Sequence, residues 1–229
     1  VLMKIYVEYG YTEREASREI LRNNLFGLDI DNRASQLAYF AVMMKARQYD
    51  RTLFRQGIVP HIHTIIESNH IDSYAVDEFC EDSSIRKDTK LLLDVFHDAK
   101  EYGSILQMPE VDFGKLEARI EEMQENISLA AYVAEDIYEI VCIAKIMSTK
   151  YVAVVTNPPY LGKYDANLKK FILDNYKDYS GDLFSVFVYR NFDYCVPNGY
   201  TGFMTPFLWM FIKTYEKLRD YVIECKDIC

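Results

Sequence analysis

The sequence predicts an α/β protein in which short strands alternate with helices. Three observations carry that reading. Residues 25–47 run from an apolar strand through a tight acidic turn into an amphipathic helix, which is half of a doubly wound unit. Val152, Ala153, Val154 and Val155 form an apolar, β-branched run that stops at Asn157-Pro158-Pro159-Tyr160, the pattern of a buried strand ending in a rigid turn. Between these two regions, residues 72–150 set acidic clusters on helical apolar spacing, a stretch longer than a βαβ crossover requires. The chain therefore divides into residues 1–71, a helical insertion over 72–150, and residues 151–229.

The elements follow in order. Residues 1–9 are apolar at helical spacing without a start signal, so the chain is expected to begin inside a helix. Thr12 and Glu15 spell a capping box for a second helix reaching about Asn23. Residues 25–30 read as a buried strand, and Asp31 is placed to cap the helix over 32–47. The packing residues expected on that helix are Ala34, Leu37, Ala38, Ala41, Val42 and Met44. Residues 61–66 give another strand, ending at Glu67-Ser68-Asn69. His61 and His63 share one face of it, but two histidines without a third acid or cysteine nearby in sequence do not make a metal site, and no metal is expected. After the Asn-Pro-Pro-Tyr turn, a short helix is expected over 168–176 and a longer one over 182–194. A strand over 199–204 and a helix over 206–225 follow.

Composition narrows the class. Half of the 229 residues are hydrophobic and 14% are aromatic, enough for a substantial core. The longest apolar run, 202–212, is far too short to span a bilayer. The five cysteines (Cys80, Cys142, Cys195, Cys225 and Cys229) are scattered and lack metal-ligand spacing, which points to reduced thiols in a cytoplasmic protein. A net charge of −9 is unfavourable for contact with phosphates unless basic residues cluster locally. Lys163, Lys169 and Lys170, just beyond the proline turn, form such a cluster or else a solvated helix face.

The proline turn carries the chemistry. Consecutive prolines fix φ twice and remove two N–H donors, and Asn157 is driven towards an extended conformation by the proline after it. The loop lies at the carboxyl end of a strand, where open α/β sheets place their ligands. It offers the Asn157 amide and backbone carbonyls as acceptors, with the Tyr160 ring beside them. That set suits a planar group bearing an exocyclic amine: oxygens hold the amine hydrogens while the ring stacks.

Asn157-Pro158-Pro159-Tyr160 after an apolar strand resembles the signature of amino-methyltransferases that use S-adenosylmethionine, chiefly the adenine-specific DNA enzymes. Leu161-Gly162-Lys163 comes next, then Ser180-Gly181-Asp182-Leu183-Phe184, then Gly199-Tyr200-Thr201-Gly202-Phe203-Met204-Thr205-Pro206. In that order the text is similar to the large adenine methyltransferases of phage-exclusion (BREX-type) systems and of fused restriction–methylation enzymes. The resemblance extends, with gaps, over most of the chain.

It implies a Rossmann-like, S-adenosylmethionine-dependent methyltransferase sheet, truncated here at its first strand. The family's glycine-rich cofactor motif is nowhere in the chain, and residues 1–9 resemble the helix that follows it. The chain is thus expected to be a piece of a larger enzyme that acts on double-stranded DNA, and to be inactive alone. By resemblance Asn157, Pro158 and Tyr160 are catalytic, while Pro159, Phe184 and Phe203 line the target-base pocket beside residues 199–206. Asp29 would hold the ribose of the cofactor, and Glu67 would lie near its adenine ring. Taken without the resemblance, Asp29 is a loop carboxylate, and Phe184 and Phe203 are core. Two other readings share the four-residue signature or the scaffold: a protein glutamine or RNA methyltransferase, and a non-catalytic interaction module. The surroundings at 180–184 and 199–206 favour DNA adenine.

Overall fold

Local capping chemistry starts the helices where the sequence places them. In the computed structural model, which describes residues 1–80, 82–124 and 129–226, α1 (Leu2–Glu8) is followed by α2 (Glu13–Asn23). Thr12 Oγ1 accepts the Glu15 N–H at 3.2 Å while Glu15 Oε2 accepts the Thr12 N–H at 3.0 Å, which closes the capping box. β1 (Phe26–Asp29) leads into α3 (Asn32–Arg47), whose first turn is held by the Asp31 carboxylate on the Arg33 N–H. β2 (His61–Thr64) lies parallel to β1, with Phe26 opposite His61 and Asp29 opposite Thr64. The strand stops two residues earlier than the sequence suggests, and the Ile65 N–H just past it still donates to the Asp29 carbonyl of β1.

Five helices follow: α4 (Ser73–Phe79), α5 (Ser83–Val95), α6 (Ala99–Tyr102), α7 (Phe113–Gln124) and α8 (Leu129–Ser148). Then come β3 (Tyr151–Thr156), α9 (Ala166–Asn175), α10 (Leu183–Asp193), β4 (Cys195–Phe203) and α11 (Glu216–Cys225). Among the described residues the strands form two parallel pairs, β1 with β2 and β3 with β4. Cys229 lies outside the described residues.

The chain separates into two compact units. The first comprises Val1–Gly103 and Pro109–Ile146; the second comprises Ser104–Met108 and Met147–Cys229. In the first, Leu21, Met43, Ala46, Leu53 and Ile58 make one core cluster. Helix α8 buries Ile137, Ile140, Val141, Ile143 and Ala144, as expected of a helix that is apolar nearly all round. In the second, Phe184, Val188, Leu218 and Val222 form the core, with Phe203, Trp209 and Tyr215 packed against it.

Three expectations are corrected. The packing face of α3 is Ser35, Tyr39, Val42, Met43 and Ala46, whereas Leu37 is 69% exposed and Met44 40%. The helix carries two apolar stripes, and spacing alone cannot say which one the neighbours cover. β3 is not buried: Val152 is 68% and Val155 82% exposed, because among the described residues the strand has a single neighbour. Finally, residues 206–215 are two 3-10 turns, Phe207–Met210 and Lys213–Tyr215, and the helix occupies only Glu216–Cys225. The apolar residues from Phe207 to Ile212 run consecutively and give no helical stripe. Arg219 Nη1 donates to the Trp209 and Ile212 carbonyls, taking up acceptors that a helix would use internally.

Candidate active-site loop and cofactor-side carboxylates

The proline loop leaves the carboxyl end of β3 in the second unit. Its entry is fixed by strand pairing, Thr156 opposite Phe203, and by the Met204 N–H donating to the Thr156 carbonyl at 3.3 Å. Upstream, β4 bulges: Tyr151 faces Cys195 but Ala153 faces Tyr200. The bulge needs Asn198 at a left-handed φ of 62° and Gly199 beside it, where a Cβ would sit 2.8 Å from the Val152 carbonyl oxygen.

Within the loop, Pro158 is buried while Asn157, Pro159 and Tyr160 are exposed. Neither the Asn157 side chain nor the Pro158 carbonyl accepts a hydrogen bond from any described residue. The Tyr160 ring is 52% exposed, forms a T-shaped pair with Phe184 (centroids 6.3 Å apart, interplanar angle 79°), and its hydroxyl donates to the Met204 carbonyl at 2.9 Å. The ring is thus anchored through its hydroxyl while half of its surface stays exposed. Phe184 itself is 2% exposed and belongs to the core, and Phe203 is half-buried against Phe192. Lys163, Lys169 and Lys170 are exposed.

The exit from the loop carries a contact that the sequence reading missed. Asp182, the N-cap of α10, accepts the Leu161 N–H at 3.1 Å and the Phe184 N–H at 3.2 Å through the same Oδ1. An aspartate preceding an apolar helix is a legible cap signal. Its second bond, twenty-one residues back in the chain, has no local signature.

In the first unit, Asp29 is exposed at the end of β1. Its Oδ1 accepts the Asp31 N–H at 2.8 Å, and no described residue bonds Oδ2. Beside it a hollow of about 260 Å³ is lined by Phe26, Gly27, Leu28, Asp29, Ala38 and Val42. A larger hollow, about 440 Å³, is lined by Tyr9, Gly10, Tyr11 and Arg18 among others and contains none of the expected site residues. Glu67 is half-buried after β2 and bonds no described residue. His61 and His63 are engaged separately: the His61 ring stacks on Phe26 at 5.0 Å, and His63 Nδ1 lies 3.4 Å from Glu139 Oε2. That contact holds the Glu139 carboxyl below its ordinary range. Burial pushes the Cys80 and Cys142 thiols up, as for inert interior cysteines.

The chain belongs to the Eco57I restriction-modification methylase family, whose pattern matches residues 23–229. It is 34% identical to the adenine-specific methyltransferase BrxX of Escherichia coli O9:H4 (strain HS) over 99% of this chain and 21% of that protein. It is likewise 34% identical to the adenine-specific methyltransferase PglX of Lacticaseibacillus casei (strain Zhang), over 96% of this chain and 19% of that protein. The chain spans about a fifth of the length of these relatives.

Proposed function

We propose that the protein containing this chain transfers a methyl group from S-adenosylmethionine to the exocyclic amine of adenine in double-stranded DNA, in the cytoplasm, as part of restriction–modification or phage defence. One observation carries the reading: an exposed Asn157 amide and a Pro158 carbonyl that no described residue bonds adjoin an exposed Tyr160 ring anchored through its hydroxyl. Adenine reaches such a loop only once it is swung out of the duplex. Tyr160 stacks on the extruded base, with Pro159 at the loop tip and Phe184 supporting the ring from the core. The Asn157 side-chain oxygen and the Pro158 carbonyl accept the two amine hydrogens, which turns the nitrogen lone pair outwards. Positioning and electrostatics then supply the rate without a covalent intermediate on the protein.

S-adenosylmethionine, when bound, supplies an electrophilic methyl group. Asp29 fits a ribose, since one carboxylate oxygen is committed to the local turn and the other is left to accept a hydroxyl. Glu67, half-buried and bonded by no described residue, would face the adenine ring of the cofactor. We further propose that the strand pairs belong to a Rossmann-like methyltransferase fold, with 1–71 on the cofactor side, 72–150 as a helical insertion and 151–229 as the catalytic half. In the first unit the hollow along β1 and the exposed Leu37 and Phe40 of α3 support this reading, as does the exposed Val155 of β3 in the second. Exposed Lys163, Lys169 and Lys170 are the local positive charge for the DNA backbone.

The test is Asn157→Ala in the full-length protein, assayed with tritiated S-adenosylmethionine on DNA, RNA and a release-factor-like protein. Methylation of adenine in DNA should vanish while cofactor binding persists. Undiminished methylation by the variant removes Asn157 from this role, and incorporation into RNA or protein instead of DNA replaces the substrate.

A further inference from the structure

We infer that Asp182 is a positioning residue for the proposed methyl transfer: it locks the exit of the Asn157–Tyr160 loop to the first turn of α10 and so sets where Asn157, Pro158 and Tyr160 present themselves. This rests on reading that loop as the amine-binding site. The prolines donate no N–H, so the loop has to be fastened at its ends and by its ring. The entry is held by the β3–β4 ladder, and the ring by the Tyr160 hydroxyl on the Met204 carbonyl. The exit is held by a reciprocal pair. Asp182 Oδ1 accepts the Leu161 N–H at 3.1 Å, and the Leu161 carbonyl accepts the Leu183 N–H at 3.0 Å.

Two further features show that this junction is built for close approach. A Cβ on Gly162 would lie 3.3 Å from Asp182 Oδ2, so a larger residue there would press on the carboxylate. Asp182 is half-buried, and the same Oδ1 that caps α10 also holds the loop, so cap and clamp share one atom. Hydrogen bonds to an ionised acceptor are the stronger kind. A displacement of about 1 Å in reacting groups costs up to roughly a hundredfold in rate, so a clamp one residue from Tyr160 acts on kcat.

The experiment separates clamp from cap. In the full-length protein, Asp182→Ala, Asp182→Ser and Asp182→Asn are compared with wild type for kcat and for KM towards DNA and S-adenosylmethionine. Serine is a good helix cap but too short to reach both amides, whereas asparagine keeps an oxygen where Oδ1 stands. The alanine and serine variants should lose about tenfold or more in kcat, equivalent to ~1.4 kcal/mol, with little change in either KM. Asparagine should restore most of the rate. Hydrogen exchange at the Leu161 amide gives a readout independent of catalysis: protected in wild type and Asp182→Asn, fast in Asp182→Ser. Serine matching wild type in rate, or a Leu161 amide still protected in Asp182→Ser, overturns the clamp. A wild-type enzyme that does not methylate adenine in DNA overturns the substrate reading instead, and the exchange result still decides the clamp.

Discussion

The two compact units add different contacts to their apolar cores. In the first, helices are tied by charge: Asp50, 2% exposed, takes Arg18 Nε at 2.7 Å and Arg14 Nε at 3.3 Å, and Arg119 links the Phe79 carbonyl to Glu122. In the second, aromatic rings do the corresponding work. Tyr179 stacks on Tyr189 with centroids 4.0 Å apart, the Arg190 guanidinium lies 4.3 Å over the Tyr194 ring, and Phe192 meets Phe203 edge-on. The difference matters for function. Close-packed interiors transmit strain, and the proline loop is joined to the ring-built unit through Tyr160 and Phe184.

The largest expected break in this contrast is Phe184→Ala. Removing a 2%-exposed ring that touches both Tyr160 and Tyr215 should cost about 3–5 kcal/mol, read as an early transition in the emission of Trp209, the single tryptophan of the chain. Next comes Arg18→Ala, which deprives the buried Asp50 carboxylate of its best donor. A loss of about 2 kcal/mol is expected, seen by circular dichroism before Trp209 responds. Tyr194→Phe deletes a 2.7 Å bond to the Ser104 carbonyl and should cost about 1 kcal/mol, with Trp209 emission following the loss.

Opposite pH limits sharpen the comparison further. Burial alone would raise the Asp50 pKa, but hydrogen bonds from Arg18 and Thr52 outweigh it and hold it at about 2. Its contribution is present above its unfolded value and is lost as pH falls from about 4 towards 2, in the first unit. Burial pushes Tyr194, Tyr151 and Tyr179 up to about 12. Their contribution is present below about 10 and is lost as pH climbs towards 12, in the second unit. Acid should therefore reduce helical signal before Trp209 emission moves, and alkali should do the reverse. A single transition reported by both probes at both extremes contradicts the division.

What could be read from the sequence was local. The Thr12–Glu15 box, the Asp31 cap and the bounds of α3 depend on neighbours within four residues, and they fall where expected. The Asn157 loop was legible because two prolines and a preceding β-branched strand restrict the chain whatever surrounds it. The buried face of α3 was not, since Leu37 and Met43 are equally apolar and only the fold selects between them. Nor was the fastening of Tyr160 to the Met204 carbonyl, forty-four residues on, because a backbone acceptor has no letter of its own. Nor were the turns over 207–215, where Arg219 captures the Trp209 and Ile212 carbonyls, because backbone acceptors taken by a side chain leave no mark on apolar spacing.

Ser104–Met108 has a consequence for modularity. These residues stand within the long helical stretch, yet they belong to the second unit, where Tyr176, Arg190 and Tyr194 donate to the carbonyls of Ile105, Leu106 and Ser104 across 71, 84 and 90 positions of chain. A stretch that lends fabric to its neighbour cannot be traded between homologues as a cassette. Recombination that swapped residues 72–150 wholesale would leave three donors in the second unit reaching for oxygens that had gone elsewhere.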